Sequence, residues 1–315
     1  MNPEVSILVL TYNQADKIGR ALDSILAQQC DSNYEIIIGE DASTDSTRAV
    51  CERYAAQFPE KIRLMPQAPN KGVVDNYYDC LLQSRGKYIT DCAGDDYWPD
   101  LRRLQRQHDY LETHPQDVAV MSDWIIASPL ERVVSRDLEK FAPFTRRCSG
   151  REMLELSLGA ISNFPLLSAM MYRREALMKL YYADTSLLRR KDWKCEDFPL
   201  VAALATQGAF GYLPLDATVY EVGDASVSNS VDYGKQFDFY IGPARAMVEL
   251  TRRYGVGFAR LLPAFDARIK YLAAMAWKSP SKERTSQLAK LVGAWPVRVP
   301  LKARFRLWAL LLFRR

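Results

Sequence analysis

The sequence predicts an α/β protein built on a mostly parallel sheet, with a helical region at its C-terminal end. Three observations carry that expectation. Short apolar runs rich in branched residues alternate with helical patterns through the N-terminal half. The connections between them are only a few residues long, as βαβ units require. Polar side chains gather just after three of the apolar runs, at the sheet edge where ligands sit in open α/β folds.

Each element has its own justification. Val5 to Leu10 reads as a strand buried on both faces, and Ile18, Leu22, Ile25 and Leu26 then mark one face of a helix. Tyr34 to Gly39 is a second buried strand, after which Ser43 or Thr44 is placed to cap a helix carrying Ala49, Cys51, Tyr54, Ala55 and Phe58. Ile62 to Met65 is a third strand, and Asn70-Lys71-Gly72 opens a helix through Leu82. Tyr88 to Thr90 begins the fourth, a helix is expected from about Pro99 to Thr113, and Val118 to Met121 is the fifth strand. Trp124 to Pro165 reads as a loop-rich insertion, and Asn163 to Tyr172 as a further buried strand. Phe210 to Pro214 and Ala217 to Tyr220 are expected to close the sheet; from Tyr233 the pattern is helical.

Apolar residues make up 48% and charged residues 25% of the 315, ordinary usage for a globular chain. Six dispersed cysteines, with no CxxC pair, and two histidines argue against a zinc site or disulfide framework and fit a reducing cytosol. No basic and then apolar leader stands at the start, so no signal peptide is expected. The charge is uneven. Lys278 to Arg315 holds ten basic residues against one acid, which is +9, and the remainder holds 32 against 37, which is −5. An acidic body makes a nucleic-acid partner an unlikely match, and the basic end suits an anionic partner of its own.

The stretch Lys87 to Trp98 draws the eye, because an apolar run ends in Gly94-Asp95-Asp96. Adjacent carboxylates repel, and stay ionised off a buried strand only with a cation or donor nearby. One reading is a Mg²⁺ or Mn²⁺ site shared with substrate phosphates; the plainer one is a solvated turn. No GxGxxG follows the first strand and no GxxxxGK[ST] occurs, so a diphosphate would lack a glycine cradle and a metal is the natural counterweight.

Val5 to Asn13, the run EIIIGEDASTDST from Glu35 to Thr47, and GKYITDCAGDDYW from Gly86 to Trp98 together resemble family 2 glycosyltransferases of the GT-A fold. The match is close over the first 100 residues or so and looser to about residue 225. It implies a Rossmann-like catalytic domain over residues 1–225 and a C-terminal helical region over 226–315. It implies that Tyr12 and Asp41 hold the base of a UDP- or dTDP-sugar, with Thr11, Asn13 and Glu40 beside the nucleoside and Lys71 facing it. Asp95 would meet the ribose or the metal, and Asp96 the metal. Many members carry an acid two residues before Asp95, where this chain has Ala93.

Glu196-Asp197 forms a second acidic pair before Phe198-Pro199. Taken alone, Asp197 fits a helix N-cap. The resemblance implies instead that Asp197, with Glu196 as the second candidate, is the catalytic base of an inverting transfer to a hydroxyl of a glycan or lipid-linked acceptor, as in bacterial surface polysaccharide synthesis. A non-catalytic nucleotide- or glycan-binding module and a sugar nucleotidyltransferase are the alternatives. The tail from Trp295 to Arg315 joins an apolar face to basic residues, and its seven-residue apolar run falls short of the about 20 needed to span a bilayer. It reads either as an interfacial helix on an anionic leaflet or as a helix packed on the body or in a homodimer. The expected location is the cytoplasm or the inner face of its membrane.

Overall fold

The computed structural model describes residues 2–67, 69–128, 130–160, 166–222 and 232–296. The first half is β1 (Val5–Thr11), α1 (Ile18–Leu26), β2 (Tyr34–Glu40), α2 (Thr47–Gln57), β3 (Ile62–Leu64), α3 (Val73–Gln83), β4 (Tyr88–Ala93) and α4 (Arg103–Thr113). β1 lies between β2 and β4 and runs parallel to both, with Thr11 beside Glu40 and Leu10 beside Ala93. The expected polar edge is therefore a single edge.

Two of the predicted helix starts move. α2 begins at Thr47, where the Asp45 side chain accepts from the Thr47 amide at 2.9 Å. Ser43 and Thr44 are used elsewhere. Pro99 and Asp100 lie ahead of α4, and the Asp100 carboxylate accepts from the Arg102 amide at 2.7 Å.

The second half completes the sheet in a less regular order. It contains β5 (Asp117–Ala127), β6 (Arg132–Val134), α5 (Gly150–Gly159), β7 (Met170–Arg173), α6 (Arg174–Ala183), α7 (Thr185–Leu188), α8 (Asp197–Leu204) and β8 (Ala209–Glu221). The sheet order is β3-β2-β1-β4-β7-β5-β6, with β8 pairing parallel to β5. β7 is antiparallel to both β4 and β5. The expected strand at Asn163 to Tyr172 is thus the short wedge β7; residues 161–165 lie outside the described residues.

The stretch expected to be loop-rich is largely ordered secondary structure. β5 continues past Met121 because the buried Asp123 finds partners: Ser135 and Tyr212 hydroxyls donate to it at 3.0 Å and Arg136 at 3.2 Å. α5 starts on a proper cap, with Ser149 Oγ accepting from the Glu152 amide at 3.2 Å. The two predicted closing segments are one strand, β8.

Helices cover both sheet faces. α1, α2 and α4 bury Ile18, Leu22, Cys51 and Leu104 against Ile7, Val9, Ile36 and Ile38. On the other face lie α3, α5, α6 and α8, joined by α9 (Tyr233–Arg253), α10 (Leu262–Lys278) and α11 (Lys282–Ala294). Phe237, Met247, Phe265 and Ile269 share one apolar cluster with Phe198, Leu200, Tyr78 and Leu8. The tail reading at residues 297–315 falls outside the described residues.

A fully buried cation, Arg103, ties part of this frame together. Arg103 of α4 is 0% exposed and stacks on Trp98, its Cζ 4.0 Å from the ring centroid. It donates to Thr90 Oγ1 at 2.9 Å, the Ala217 carbonyl at 3.0 Å and Gln107 Oε1 at 3.2 Å, tying α4 to β4 and β8. Burial lowers its pKa to about 9, which leaves it charged at neutral pH. Arg103→Ala strips those acceptors of their donor and opens a void, and should destabilise the fold by about 3 kcal/mol in urea denaturation.

Candidate active site

Loops after β1 and β2 are stitched together at the polar edge. Asn13, with φ +53°, accepts from the Thr44 amide at 2.8 Å, and its own amide donates to Ser43 Oγ at 2.9 Å. Glu40 is buried; its Oε1 accepts from the Ser43 amide at 2.6 Å, while Oε2 accepts no hydrogen bond and lies 3.9 Å from Arg48. Thr11 Oγ1 donates to Gln14 Oε1 at 2.9 Å. Tyr12 stands beside them with 47% of its surface exposed, a ring with room to stack on a planar ligand.

Asp41 is held from the other side. Its two oxygens accept from the backbone amides of Lys71 and Gly72, each at 2.9 Å, and its carbonyl accepts from Asn70 Nδ2 at 2.8 Å. Gly72 has φ +85°, which a residue with a side chain adopts only at a cost, so the turn that aims both amides at Asp41 depends on that glycine. Lys71 Nζ pairs with Asp79 at 2.7 Å, and Asp79 and Asp75 pair in turn with Arg189 at 2.6 and 2.5 Å.

β4 brings its carboxylates to the same edge. The Gly94 amide donates to the Leu10 carbonyl at 2.8 Å, so the turn carrying Asp95 and Asp96 rests on the end of β1. Burial pushes the Asp95 carboxyl up. Asp96 is 1% exposed, and burial, with Asp95 beside it, pushes its carboxyl up further. Ser168 Oγ donates to Asp96 Oδ2 at 3.0 Å, whereas Oδ1 is buried and accepts no well-formed hydrogen bond, although the Glu221 backbone lies close enough to favour the ionised form. An orphaned buried carboxylate oxygen beside a second carboxylate is a donor set that suits a hard divalent cation completed by ligand oxygens.

Another acidic group among the described residues, Glu4, His108 and Glu112, has ligating atoms within 4.8 Å of one another. It sits at the opposite end of the strands, where Lys87 already neutralises Glu112.

Glu196 and Asp197 open α8. Asp197 is the first residue of α8 and not its N-cap, which is Glu196 with no capping side-chain bond; the Phe198 amide donates to Asp197 Oδ1 at 2.6 Å. Burial pushes both carboxyls up, Asp197 to about 6 and Glu196, which also feels the Asp197 charge, to about 8. Glu196 faces Asp91 of β4 and Tyr78 of α3. Asp91 lies under the sheet with neither oxygen accepting a well-formed hydrogen bond, although the Tyr172 hydroxyl lies close enough to favour its ionised form. Burial raises it to about 8.

The predicted residues Thr11, Tyr12, Asn13, Glu40, Asp41, Lys71, Asp95 and Asp96 thus share one edge, whereas the second acidic pair lies at the start of α8, where Glu196 faces Asp91 within β4. Gln14, Ser168, Arg103 and Arg189 escaped sequence reasoning. Arg103 alone left a signal, an arginine at a core position of the pattern Arg103, Leu104, Gln107, Leu111. A separate recess of about 340 Å³, lined by Asp192, Lys194, Asp238, Arg245 and Arg284, includes none of the predicted residues.

A mostly parallel sheet with an antiparallel wedge, and acidic side chains at its polar edge, define the GT-A class of glycosyltransferase folds. The chain belongs to glycosyl transferase family 2, whose description matches residues 6–181, more than half of it. The Mycobacterium tuberculosis protein Rv1520 is 36% identical over 171 residues, 54% of this chain and 47% of that protein. The chain therefore spans about half the length of that relative. Among solved structures, S. aureus TarS 1-349 in complex with UDP-GlcNAc is similar with a TM-score of 0.65 and 17% identity, covering 98% of this chain and 87% of that one. The mannosyltransferase PcManGT from Pyrobaculum calidifontis in complex with GDP-Man and Mn²⁺ is similar with a TM-score of 0.57 and 17% identity, covering 100% and 89%. At that identity the likeness establishes the fold.

Gly94 is closely packed at this edge. A Cβ there would sit 2.5 Å from Gln14 Oε1 and 2.6 Å from Thr11 Oγ1. Gly94→Ala should displace the Asp95–Asp96 turn and lower the melting temperature by a few degrees, read by thermal denaturation.

Proposed function

We infer that this chain is an inverting, divalent-metal-dependent glycosyltransferase that moves a sugar from a UDP- or dTDP-linked donor to a hydroxyl of a glycan or lipid-linked acceptor, in surface polysaccharide synthesis. The observation that carries this reading is the pair Asp95 and Asp96, with a buried unpartnered oxygen on Asp96, at the edge that also holds Tyr12 and Asp41. Membership of family 2 supports the reaction class. The UDP-GlcNAc complex of TarS and the GDP-Man and Mn²⁺ complex of PcManGT support a nucleotide-sugar donor and a divalent ion.

In this reading Tyr12 stacks on the base and Asp41, already fixed by two backbone amides, keeps a set orientation toward the base N–H. Asp96 and Asp95 would hold Mg²⁺ or Mn²⁺, which when bound offsets the charge of the departing nucleoside diphosphate. Asp197 takes the proton of the acceptor hydroxyl as that oxygen attacks the anomeric carbon from the face opposite the diphosphate. A raised carboxyl pKa suits this task, because a stronger base is still mostly ionised near neutral pH. Activity is then lost as pH falls through about 6. We place the chain in the cytoplasm or at the inner face of its membrane; no helix among the described residues is long and apolar enough to cross one.

Asp197→Asn should leave UDP binding intact and lower sugar transfer about a thousandfold, read as UDP released from UDP-sugars. Near-normal turnover would remove Asp197 from the role, and no release by the unaltered chain with any donor would favour a non-catalytic binding module. Asp96→Ala should abolish the gain in UDP affinity that Mn²⁺ provides. Equal affinity with and without the ion in the unaltered protein would contradict the metal assignment.

A further inference from the structure

The two amides that hold Asp41 belong to a turn with little of its own to hold it. Gly72, at φ +85°, stands just ahead of α3, and no side chain caps that helix start. A Cβ on Gly72 would meet nothing within 4 Å, so packing does not wedge the turn there. Asn70 fastens its near end, donating to the Asp41 carbonyl at 2.8 Å. The helix beyond is fixed to β2, because Asn76 donates to the Gly39 carbonyl at 2.7 Å. Between these two points a glycine turn is free to open, and amides on an open turn aim poorly.

The Lys71 side chain supplies the missing hold. Its ammonium pairs with Asp79 Oδ2 at 2.7 Å, eight residues further along the chain. Asp75 and Asp79 share one face of α3, four residues apart. The nearer of them is already occupied: Arg189 donates to Asp75 Oδ1 at 2.5 Å, and Lys191 pairs with Oδ2. Arg189 also donates to Asp79 Oδ1 at 2.6 Å. Asp79 is thus gripped on one oxygen and offers the other to Lys71. The two side chains are 24% and 29% exposed, so water and salt screen the pair only in part.

We propose that Asp79 is a positioning residue for Asp41: by holding the Lys71 ammonium it keeps the turn at residues 70–72 closed and both amides aimed at the Asp41 carboxylate. This inference rests on the reading of Asp41 as the group that meets the base. Lys71 then serves the site through its backbone, and its charge serves the turn. A role for the ammonium on the donor's diphosphate makes the opposite forecast, because Asp79 would then compete for it.

The test follows backbone amide hydrogen exchange at Lys71 and Gly72 by NMR in nitrogen-15-labelled full-length protein without ligand, alongside calorimetric titrations of UDP and of uridine. Unaltered protein, D79N, D79E, K71M and D79N/K71M are compared, with thermal melts confirming that each is folded. In D79N the two amides should exchange about fivefold faster or more, while the amides of β2 keep their rates. D79E should restore most of the protection, and D79N/K71M should exchange no faster than K71M. D79N should weaken UDP and uridine binding alike, about fivefold. Unchanged exchange at Lys71 and Gly72 in folded D79N overturns the proposal, and so does tighter UDP binding by D79N. If D79N does not fold, K71M decides, and unchanged exchange there overturns it as well. Failure of the nucleotide reading looks different: the unaltered chain would bind neither UDP nor uridine, whatever its exchange rates.

Discussion

A line of carboxylates along one buried strand sets the terms for this molecule. Asp91 lies under the sheet, and Asp95 and Asp96 follow at the exit of β4, all drawn out of water. Desolvation disfavours each charge, and no run of apolar neighbours relieves it. The surrounding structure responds with Arg103 on one face, Ser168 at Asp96, and hydroxyls of Tyr172 and Tyr77 around Asp91. Apolar replacements would serve packing better at every one of these places. Their presence fits the proposed reading, in which the strand faces a charged ligand.

That constraint explains why the edge is rigid before any ligand arrives. Asn13 and Ser43 join two loops, Lys71 and Gly72 fix Asp41, and Gly94 rests against β1. In the proposed function, the groups that would meet a planar base and a diphosphate are held by backbone amides and not by long side chains. Ordering them on binding then costs little conformational entropy.

Much of this was legible from residue order. β1, β2 and β4 announce themselves because strands buried on both faces must be continuously apolar, and the acids that follow Gly39 and Gly94 stand out against them. Where reading failed, a tertiary partner had overruled a local rule. Asp123 looks like a strand end until Ser135, Arg136 and Tyr212 are brought to it from distant positions. Asp100 and Asp45 displaced expected helix starts by local side-chain bonds that several residues nearby could equally have made. α5 was readable, since Met153, Leu154 and Leu158 keep helical spacing after Ser149, but a basic, proline-bearing approach disguised it. Ser168 and Arg189 carry no signal in their own neighbourhoods, because only the fold places them beside an acid.

The wedge strand has a bearing on how the chain is made. β1 to β4 pair among themselves within residues 5–93 and need nothing later to do so. β4 gains its other neighbour only when Met170–Arg173 appears, and β5 gains its long parallel partner only with Ala209–Glu221. During synthesis the N-terminal half can therefore assemble on the ribosome with the flank of β4 uncovered. Until β7 inserts, that open flank carries Asp91 close by, a charge that discourages another chain from pairing there.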